Sequence, residues 1–327
     1  MEQKRVTWLD DTRGICVFCV LLAHSGIAHP YIYTLYTPFF LTAFFFVSGL
    51  LFKNITLKDD LLKIVRHLVV PYFLLNILII FIGFDNWKAV YHKDYSYVFD
   101  KFVDTLLGYN MWFIPCIIMV QLYITLLYYT FMKTLVLKIV TMVCLLMSVF
   151  LIKNGDGLFL PWYMDIAIFS SAFFLLGNIL KSICGYSEWL PDFRCKKIVA
   201  IITLVAYFCF AYFLQNKYDM EFHYAYNYYE NPLLFILLSV LGIVCICVFF
   251  QAIHIKLFSL FGKNSLAFFA FNGKAKALSL LILPNALHLE NHIMALLLCL
   301  IESAILLFIS SLINKYCPWL IGKYKKK

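Results

Sequence analysis

The sequence predicts an all-α, polytopic integral membrane protein built as a bundle of about ten transmembrane helices. Its 327 residues are 63% hydrophobic and only 14% charged, and the mean hydropathy is +0.85. A soluble chain of this length needs more charge to cover its surface. Apolar windows of about 20 residues recur along the chain without a repeat or a Pro/Gly-rich linker between them. We therefore expect one membrane domain covering residues 1–327.

Each predicted span is an apolar run bounded by charged or polar residues, with ends uncertain by several residues. In chain order the spans are 10–29, 36–53, 65–83, 111–131, 134–152, 162–181, 197–215, 232–252, 264–284 and 293–314. The first contains Arg13 and lacks the small-residue cleavage pattern of a signal peptide. We therefore expect it to remain in the mature protein.

The distribution of positive charge predicts the orientation. If the N-terminus is cytoplasmic, 19 of the 27 Lys and Arg residues lie on the cytoplasmic side, 5 lie on the opposite side and 3 lie within spans. The positive-inside rule then places both termini in the cytoplasm. The expected location is a cell membrane, the bacterial inner membrane in particular. The net charge of +9 thus reflects topology, and nucleic acid is not an expected partner.

Membrane lipids are expected partners at the C-terminus. The final Lys325-Lys326-Lys327 is most simply an anchor for anionic lipid on the cytoplasmic face. The eleven cysteines fall mostly in apolar runs, where they serve as small packing residues. Their spacing offers no metal-ligand set, so no metal is expected.

Arg13 and His24 are the strongest candidates for chemistry. Eleven helical steps separate them, which places both side chains on one face about 16 Å apart along the axis. An ionisable group within a membrane span normally faces a cavity, a partner or a substrate. An imidazole there could act as a general base, or it could bond a neighbouring helix. Arg13 could bind phosphate, or it could pair with Asp10 near the interface.

Two segments predicted to be external, 84–110 and 216–231, are rich in Tyr and Trp and also hold carboxylates. Such residues suit a sugar, because rings stack on its C–H faces while polar groups bond its hydroxyls. An aromatic interface belt is the alternative interpretation. Trp112 is either a belt residue or a sugar platform. Asp165 is either an orienting partner of His24, a ligand of sugar hydroxyls or an interfacial carboxylate.

A further carboxylate, Glu302, lies within the tenth span. It is expected to neutralise Lys274 or Lys276 of the ninth span, because an internal ion pair lowers the cost of burying both charges; a catalytic role is the alternative.

Several segments resemble those of one known family, in the same order along the chain. They are Arg13 and His24 in the first span, Phe44-Phe45-Phe46-Val47-Ser48-Gly49 in the second, Arg66-His67-Leu68-Val69-Val70-Pro71-Tyr72 opening the third, Trp112-Phe113-Ile114-Pro115 opening the fourth, and Phe261-Gly262-Lys263-Asn264-Ser265-Leu266 at the ninth. The chain thereby resembles the membrane acyltransferase-3 family. Asp219-Met220 and the run from Tyr229 to Leu234 are similar to its fucose 4-O-acetylase-like subgroup.

This resemblance implies an integral-membrane O-acyltransferase. Such an enzyme moves an acyl group, usually acetyl, from cytoplasmic acyl-CoA to a hydroxyl of a cell-surface glycan or its lipid-linked precursor. The Arg and His of the family's first span, by match Arg13 and His24, are needed for activity. Two positions depart from the family pattern. Lys53 stands where Arg is frequent, which keeps the charge but loses bidentate phosphate geometry, and Asn272 stands where His is common.

We expect acetyl-CoA to enter from the cytoplasm with its phosphates near Arg13, Lys53, Arg66 and Lys263. The acceptor approaches from the other face, with Trp112, Asp165 and Ser48 as candidate substrate-binding residues. His24 then accepts the hydroxyl proton, or alternatively forms an acyl-His24 intermediate. Two other classes stay open. Buried Arg, His, Lys and Glu could line the path of a transporter or glycan flippase, and the chain could be a non-catalytic partner in envelope synthesis.

Overall fold

A computed structural model describes residues 6–25, 30–151, 160–185, 195–283 and 292–324 of the chain. Within these ranges the protein is a helical bundle with one small antiparallel hairpin. The helices are α1 (Thr7–His24), α2 (Pro30–Leu51), α3 (Leu57–Ile64), α4 (Val70–Ile82), α5 (Phe84–Tyr91), α6 (Tyr95–Leu106), α7 (Phe113–Thr130), α8 (Leu135–Leu151), α9 (Met164–Cys184), α10 (Lys196–Tyr218), α11 (Pro232–Ala252), α12 (Lys256–Lys263), α13 (Ser265–Ile282) and α14 (His292–Tyr316). The hairpin strands are β1 (Phe222–His223) and β2 (Tyr228–Tyr229).

Eight helical stretches in the described ranges are long and apolar enough to cross a membrane. They are Tyr33–Leu51, Leu57–Ile82, Phe113–Thr130, Pro161–Cys184, Lys196–Tyr218, Pro232–Ala252, Ser265–Ile282 and Leu296–Tyr316. This agrees with the predicted all-α, polytopic membrane protein. The two other predicted spans also coincide with helices, since α8 is a shorter apolar helix and α1 carries Asp10, Asp11 and Arg13. The full number of spans and the orientation of the termini stay predictions.

The third membrane helix starts well before the predicted span of residues 65–83. It runs continuously from Leu57 through α3, a π turn at Val65–Val69 and α4. Four charged residues in α3 lower the local hydropathy, which explains why the apolar window missed it. The Thr56 hydroxyl caps the new start by accepting from the Asp59 amide at 3.1 Å. The π turn ends two residues before Pro71, whose ring nitrogen cannot donate a helical hydrogen bond.

The segment 84–110 forms two short helices, α5 and α6, rather than a simple connection. The Asp94 carboxylate caps α6 by accepting from the Ser96 hydroxyl at 2.6 Å and the Tyr97 amide at 3.3 Å. These two hydrogen bonds hold the pKa of Asp94 below its ordinary value. The Tyr72 hydroxyl of α4 donates to the Thr105 carbonyl at 2.9 Å, which fixes α6 against the bundle.

The second polar segment, 216–231, contains the hairpin of β1 and β2. Phe222 pairs with Tyr229 and His223 with Tyr228. Between the strands lies Tyr224, which is buried and whose hydroxyl is 2.8 Å from the Ser170 hydroxyl of α9. Burial raises the pKa of Tyr224 well above its ordinary value, so it stays a neutral phenol. The hairpin is thereby anchored to the membrane bundle.

Four glycines allow two pairs of helices to touch backbone to backbone. A Cβ atom at Gly14, Gly262, Gly49 or Gly177 would lie between 1.8 and 2.1 Å from a carbonyl oxygen of the neighbouring helix. Gly14 and Gly262 join α1 to α12, and Gly49 and Gly177 join α2 to α9. Small residues drive helix association in membranes through such close approach. The two helices that carry the candidate site, α1 and α2, are therefore held firmly by their neighbours.

Candidate active site

Arg13 and Ser48 meet between α1 and α2. The Arg13 Nη2 atom donates to the Ser48 Oγ atom at 3.3 Å, and the guanidinium carbon lies 5.5 Å from the centroid of the Phe44 ring. The Ser48 hydroxyl in turn donates to the Phe44 carbonyl at 2.9 Å. The structure thus brings Arg13, predicted to bind the donor, to Ser48, predicted to bind the acceptor, and Arg13 is half-buried in the bundle.

His24 is the last residue of α1, and its side chain is exposed toward a cavity of about 930 Å³. The Lys276 ammonium, from α13, donates to the backbone carbonyl of His24. The last carbonyls of a helix have no partner within the helix, and a cation stabilises that end. This contact therefore links α1 to α13 at the residue predicted to be the base.

The cavity has the size of a small-molecule site. It lies between the His24 end of α1, the first half of α2, the second half of α4, α5 and the first part of α6. The connection from α6 to the start of α7, the hairpin turn and α13 also line it. Its polar lining consists of aromatic rings, amides and ammonium groups. These are Tyr33, Tyr97, Tyr109, Trp112, Tyr163, Tyr224 and Tyr226; Asn76, Asn86, Asn110 and Asn272; and Lys101, Lys274 and Lys276.

Trp112 shares this cavity with His24, as a sugar platform would. Its ring lies 5.7 Å from the ring of Tyr163, centroid to centroid. Asp165 is not among the lining residues. It is only 5% exposed, so it is not an exposed interfacial carboxylate either. Its Oδ1 atom is buried and has no hydrogen-bond partner among the described residues.

The backbone before α9 accounts for the position of Asp165. Trp162 and Tyr163 both have positive φ angles, of 60° and 52°. Such values are rare for residues other than glycine, and they turn the chain sharply just before the helix begins. The turn directs Tyr163 into the cavity lining and leaves Asp165 outside it. The structure therefore does not bring Asp165 to His24.

Glu302 lies fully buried in α14. Neither of its carboxyl oxygens has a hydrogen-bond partner within the part of the chain that is described, so the expected partner Lys276 interacts with Glu302 electrostatically without a direct hydrogen-bonded ion pair. Lys276 instead binds the carbonyl at the end of α1. That carbonyl is a competing acceptor which sequence patterns do not reveal.

The predicted phosphate-binding residues Arg66 and Lys263 lie beside the turn that follows α14. Tyr324 contacts Arg66 twice, because the guanidinium carbon lies 4.1 Å from its ring centroid and its hydroxyl donates to the Arg66 carbonyl at 3.2 Å. Lys323 donates to the Asn264 side chain at 3.2 Å. Asn264 directly follows Lys263. The turn thus bridges the π turn and the start of α13.

Lys53 and Lys263 belong to the same end of the bundle as Arg13. Gly262, beside Lys263, packs against the α1 backbone at Asp10 and Gly14. Lys53 is exposed just beyond the end of α2, five residues after Ser48. The cationic residues predicted to bind the donor therefore gather at the Arg13 end of α1, while His24 and Trp112 lie at the opposite end.

The structure also shows a pair that the sequence reasoning did not single out. The Nδ1 atom of His254 is 2.7 Å from the Oδ2 atom of Asp11, and the Asp11 side chain is fully buried in α1. The acidic residues within an apolar run were the available signal. Lys274 and Lys276 are predicted above only as partners of Glu302 and not as part of a site, whereas Asn76, Asn86 and Asn110 carry no pattern that marks a cavity.

No group of three or more His, Cys, Asp or Glu side chains suited to a metal ion occurs among the described residues. One comparison with known proteins gave a match. A family model described as an acyltransferase domain matches residues 6–319, from just before α1 into the turn after α14. No curated protein and no solved structure matches the chain.

Proposed function

The chain belongs to the acyltransferase-3 family, and on that basis we propose that it is an integral-membrane O-acetyltransferase with His24 as general base. The donor is cytoplasmic acetyl-CoA, and the acceptor is a hydroxyl of a cell-surface glycan or its lipid-linked precursor. The enzyme resides in a cell membrane, the bacterial inner membrane, with both termini in the cytoplasm. Within the family we assign it to the fucose 4-O-acetylase-like subgroup.

One observation carries the proposal, namely that His24 is exposed to a cavity of about 930 Å³ while Arg13 lies on the same helix toward the other end. Eleven residues of α-helix correspond to about 16 Å. Acetyl-CoA has a matching separation between its two functional ends, because a long pantetheine arm lies between its phosphates and its thioester. Arg13, with Lys53, Arg66 and Lys263 at its end of the bundle, holds the phosphates, and the arm extends toward His24.

The acceptor enters the cavity from the other face. The rings of Trp112 and the tyrosines stack on a sugar, and the four lining amides bond its hydroxyls. The His24 imidazole takes the proton of one hydroxyl as that oxygen attacks the thioester carbonyl. The C–S bond then breaks, and the leaving thiolate takes the proton from the imidazolium. The products are the O-acetyl sugar and free coenzyme A.

An acyl-His24 intermediate is the alternative path for the same transfer. In that path the imidazole first displaces coenzyme A, and the sugar hydroxyl then displaces the imidazole. Both paths use the same residue and give the same products, so the proposal concerns His24 in either case.

The test is acetyl transfer in isolated membranes. Membranes with the wild-type protein receive acetyl-CoA labelled in the acetyl group, and the cell's own glycan is then analysed for label. We expect label on sugar with the wild type and with His92→Ala, which alters an exposed histidine at the end of α5, and none with His24→Ala. Movement of unmodified glycan across the membrane would instead indicate a transporter. If the glycan is neither labelled nor moved, the protein is a non-catalytic partner.

A further inference from the structure

The charges that line the cavity all have the same sign. Three lysines contribute to the lining, and no aspartate or glutamate of the described residues does. Lys101 has a partner outside the lining, since its ammonium lies 3.8 Å from the Asp104 carboxylate. Lys274 and Lys276 have no such carboxylate partner within the described ranges. Among the described residues, no carboxylate on the lining itself balances Lys274 and Lys276, and the buried Glu302 of α14, which interacts electrostatically with Lys276, lies outside the lining.

Such charges attract an anion more strongly here than on an open surface. The cavity walls include Phe40, Leu41, Ile79 and Ile80, and apolar walls keep the local dielectric constant low. A cleft lined by charges of one sign also concentrates ligands of the opposite sign. An ammonium in these surroundings is stabilised when an anion takes the place of the water it has lost.

The position of Lys276 indicates where that anion would lie. Its ammonium already donates to the His24 carbonyl, and an ammonium has three donors in all. The remaining donors are within a few ångströms of the residue that carries the proposed base. Lys274, two residues earlier on α13, lines the same cavity and is half-buried.

We propose that the acceptor is an anionic glycan whose negative group is held by Lys274 and Lys276, next to the hydroxyl that is acetylated. The group is a carboxylate of a sugar acid or the phosphate that links a sugar to its lipid. This inference rests on the proposed function and narrows its acceptor class. The phosphates of the donor bind elsewhere, at the Arg13 end of the bundle.

The first test measures the charge of the product. Membranes with the wild-type protein are incubated with labelled acetyl-CoA, and the labelled glycan is passed over an anion-exchange column before and after mild acid, which cleaves a sugar–phosphate link. We expect the labelled glycan to be retained by the anion-exchange column before acid treatment. Binding that persists afterwards identifies a sugar acid, and binding that is lost identifies the linking phosphate.

Two other results would count against the inference in different ways. A labelled glycan that is neutral before acid treatment overturns the anionic acceptor and leaves the acetyltransferase intact. Absence of label from any glycan overturns the acetyltransferase and the anionic acceptor together.

The second test uses variants of Lys274 with the isolated glycan, freed of esters by mild base, as acceptor. A hydrogen bond to a charged group is worth enough that Lys274→Gln should raise the acceptor concentration for half-maximal rate about tenfold or more. Lys274→Arg, which keeps the charge, should have an acceptor concentration for half-maximal rate close to that of the wild type. Lys217→Gln, which removes an exposed lysine at the end of α10, serves as the control and should behave as wild type.

The same variants distinguish acceptor from donor. If Lys274→Gln changes the dependence on acetyl-CoA and not on glycan, the anion belongs to the donor and the inference is wrong. An unchanged dependence on both substrates would also overturn it.

Discussion

The guanidinium of Arg13 donates a hydrogen bond to the Ser48 hydroxyl at 3.3 Å, and this contact joins the first two helices at the centre of the candidate donor site. Gly49, the residue after Ser48, packs directly on the α9 backbone. Ser48 is therefore fixed in position, and it fixes Arg13 in turn. The geometry matters because a planar guanidinium binds phosphate with two parallel hydrogen bonds, which requires a defined orientation.

Changes at Arg13 should weaken the use of the donor. Arg13→Lys keeps the positive charge but loses the bidentate geometry, so we expect a higher acetyl-CoA concentration for half-maximal rate and a smaller change in the acceptor dependence. Ser48→Ala removes one neutral partner, worth about 1 kcal/mol or about fivefold in the same quantity. Titration of acetyl-CoA with purified protein measures both effects. An acetyl-CoA dependence that is unaltered in Arg13→Lys would remove Arg13 from the donor site.

Changes at His24 should abolish acetyl transfer without unfolding the protein. His24 is the last residue of α1 and its side chain is exposed, so His24→Ala and His24→Gln lose little packing. We expect no transfer by either variant, together with a melting temperature in detergent close to that of the wild type. Transfer at the wild-type rate by His24→Ala would contradict the assignment of the base.

A separate measurement decides between the two chemical paths. Wild-type protein is mixed with acetyl-CoA in the absence of acceptor, and the peptide containing His24 is weighed by mass spectrometry after rapid quenching. An added acetyl group on that peptide would support the acyl-His24 path. If the peptide stays unmodified while coenzyme A is released upon addition of acceptor, the general-base path is supported.

The positions of most helices could be predicted from hydropathy, because a membrane span must be apolar over its full length. The predicted span 65–83 missed α3, since four charged residues lie in its eight positions. The prediction that Arg13 and His24 share one face of α1 needs only the geometry of a helix. The cavity could not be predicted in the same way, since its amides come from α4, α5, the connection between α6 and α7, and α13. Which side chains converge depends on tertiary packing, and Asp165 illustrates this, because two residues with positive φ precede it.

Changes at Lys276 should lower the rate of transfer by displacing His24. Its ammonium binds the carbonyl of the last residue of α1, and loss of a hydrogen bond from a charged donor costs about 2 kcal/mol. We expect Lys276→Met to reduce kcat about tenfold or more at saturating acceptor, with the acetyl-CoA dependence unchanged. Lys276→Arg, which can still donate to the carbonyl, should recover part of the rate.

This combination separates a positioning role from a structural one. A residue that merely supports the fold would lower the amount of folded protein and leave kcat per folded molecule unchanged. If Lys276→Met shows that pattern, the contact with His24 has no role in transfer.

Changes at the glycines between α1 and α12 should destabilise the folded protein. A Cβ atom at Gly262 would lie 2.0 Å from the Asp10 carbonyl oxygen and 2.9 Å from the carbonyl carbon. Both are backbone atoms, so the clash can be relieved only by separating the two helices. Overpacking costs about 1–3 kcal/mol, and a clash with backbone atoms lies at the upper end of that range. We therefore expect Gly262→Ala to lower the melting temperature markedly and to reduce the yield of folded protein extracted from membranes.

Gly273 provides the matched control for this substitution. It also lies within a helix, α13, but apart from its chain neighbours and the backbone of its own helix no atom lies within 4 Å of the position its Cβ would take. Because alanine favours the helix over glycine by about 0.8–1 kcal/mol, Gly273→Ala should keep or slightly raise the melting temperature. Equal stability of the two variants would show that α1 and α12 are not in backbone contact. The placement of Lys263 beside α1, which depends on that contact, would then be wrong.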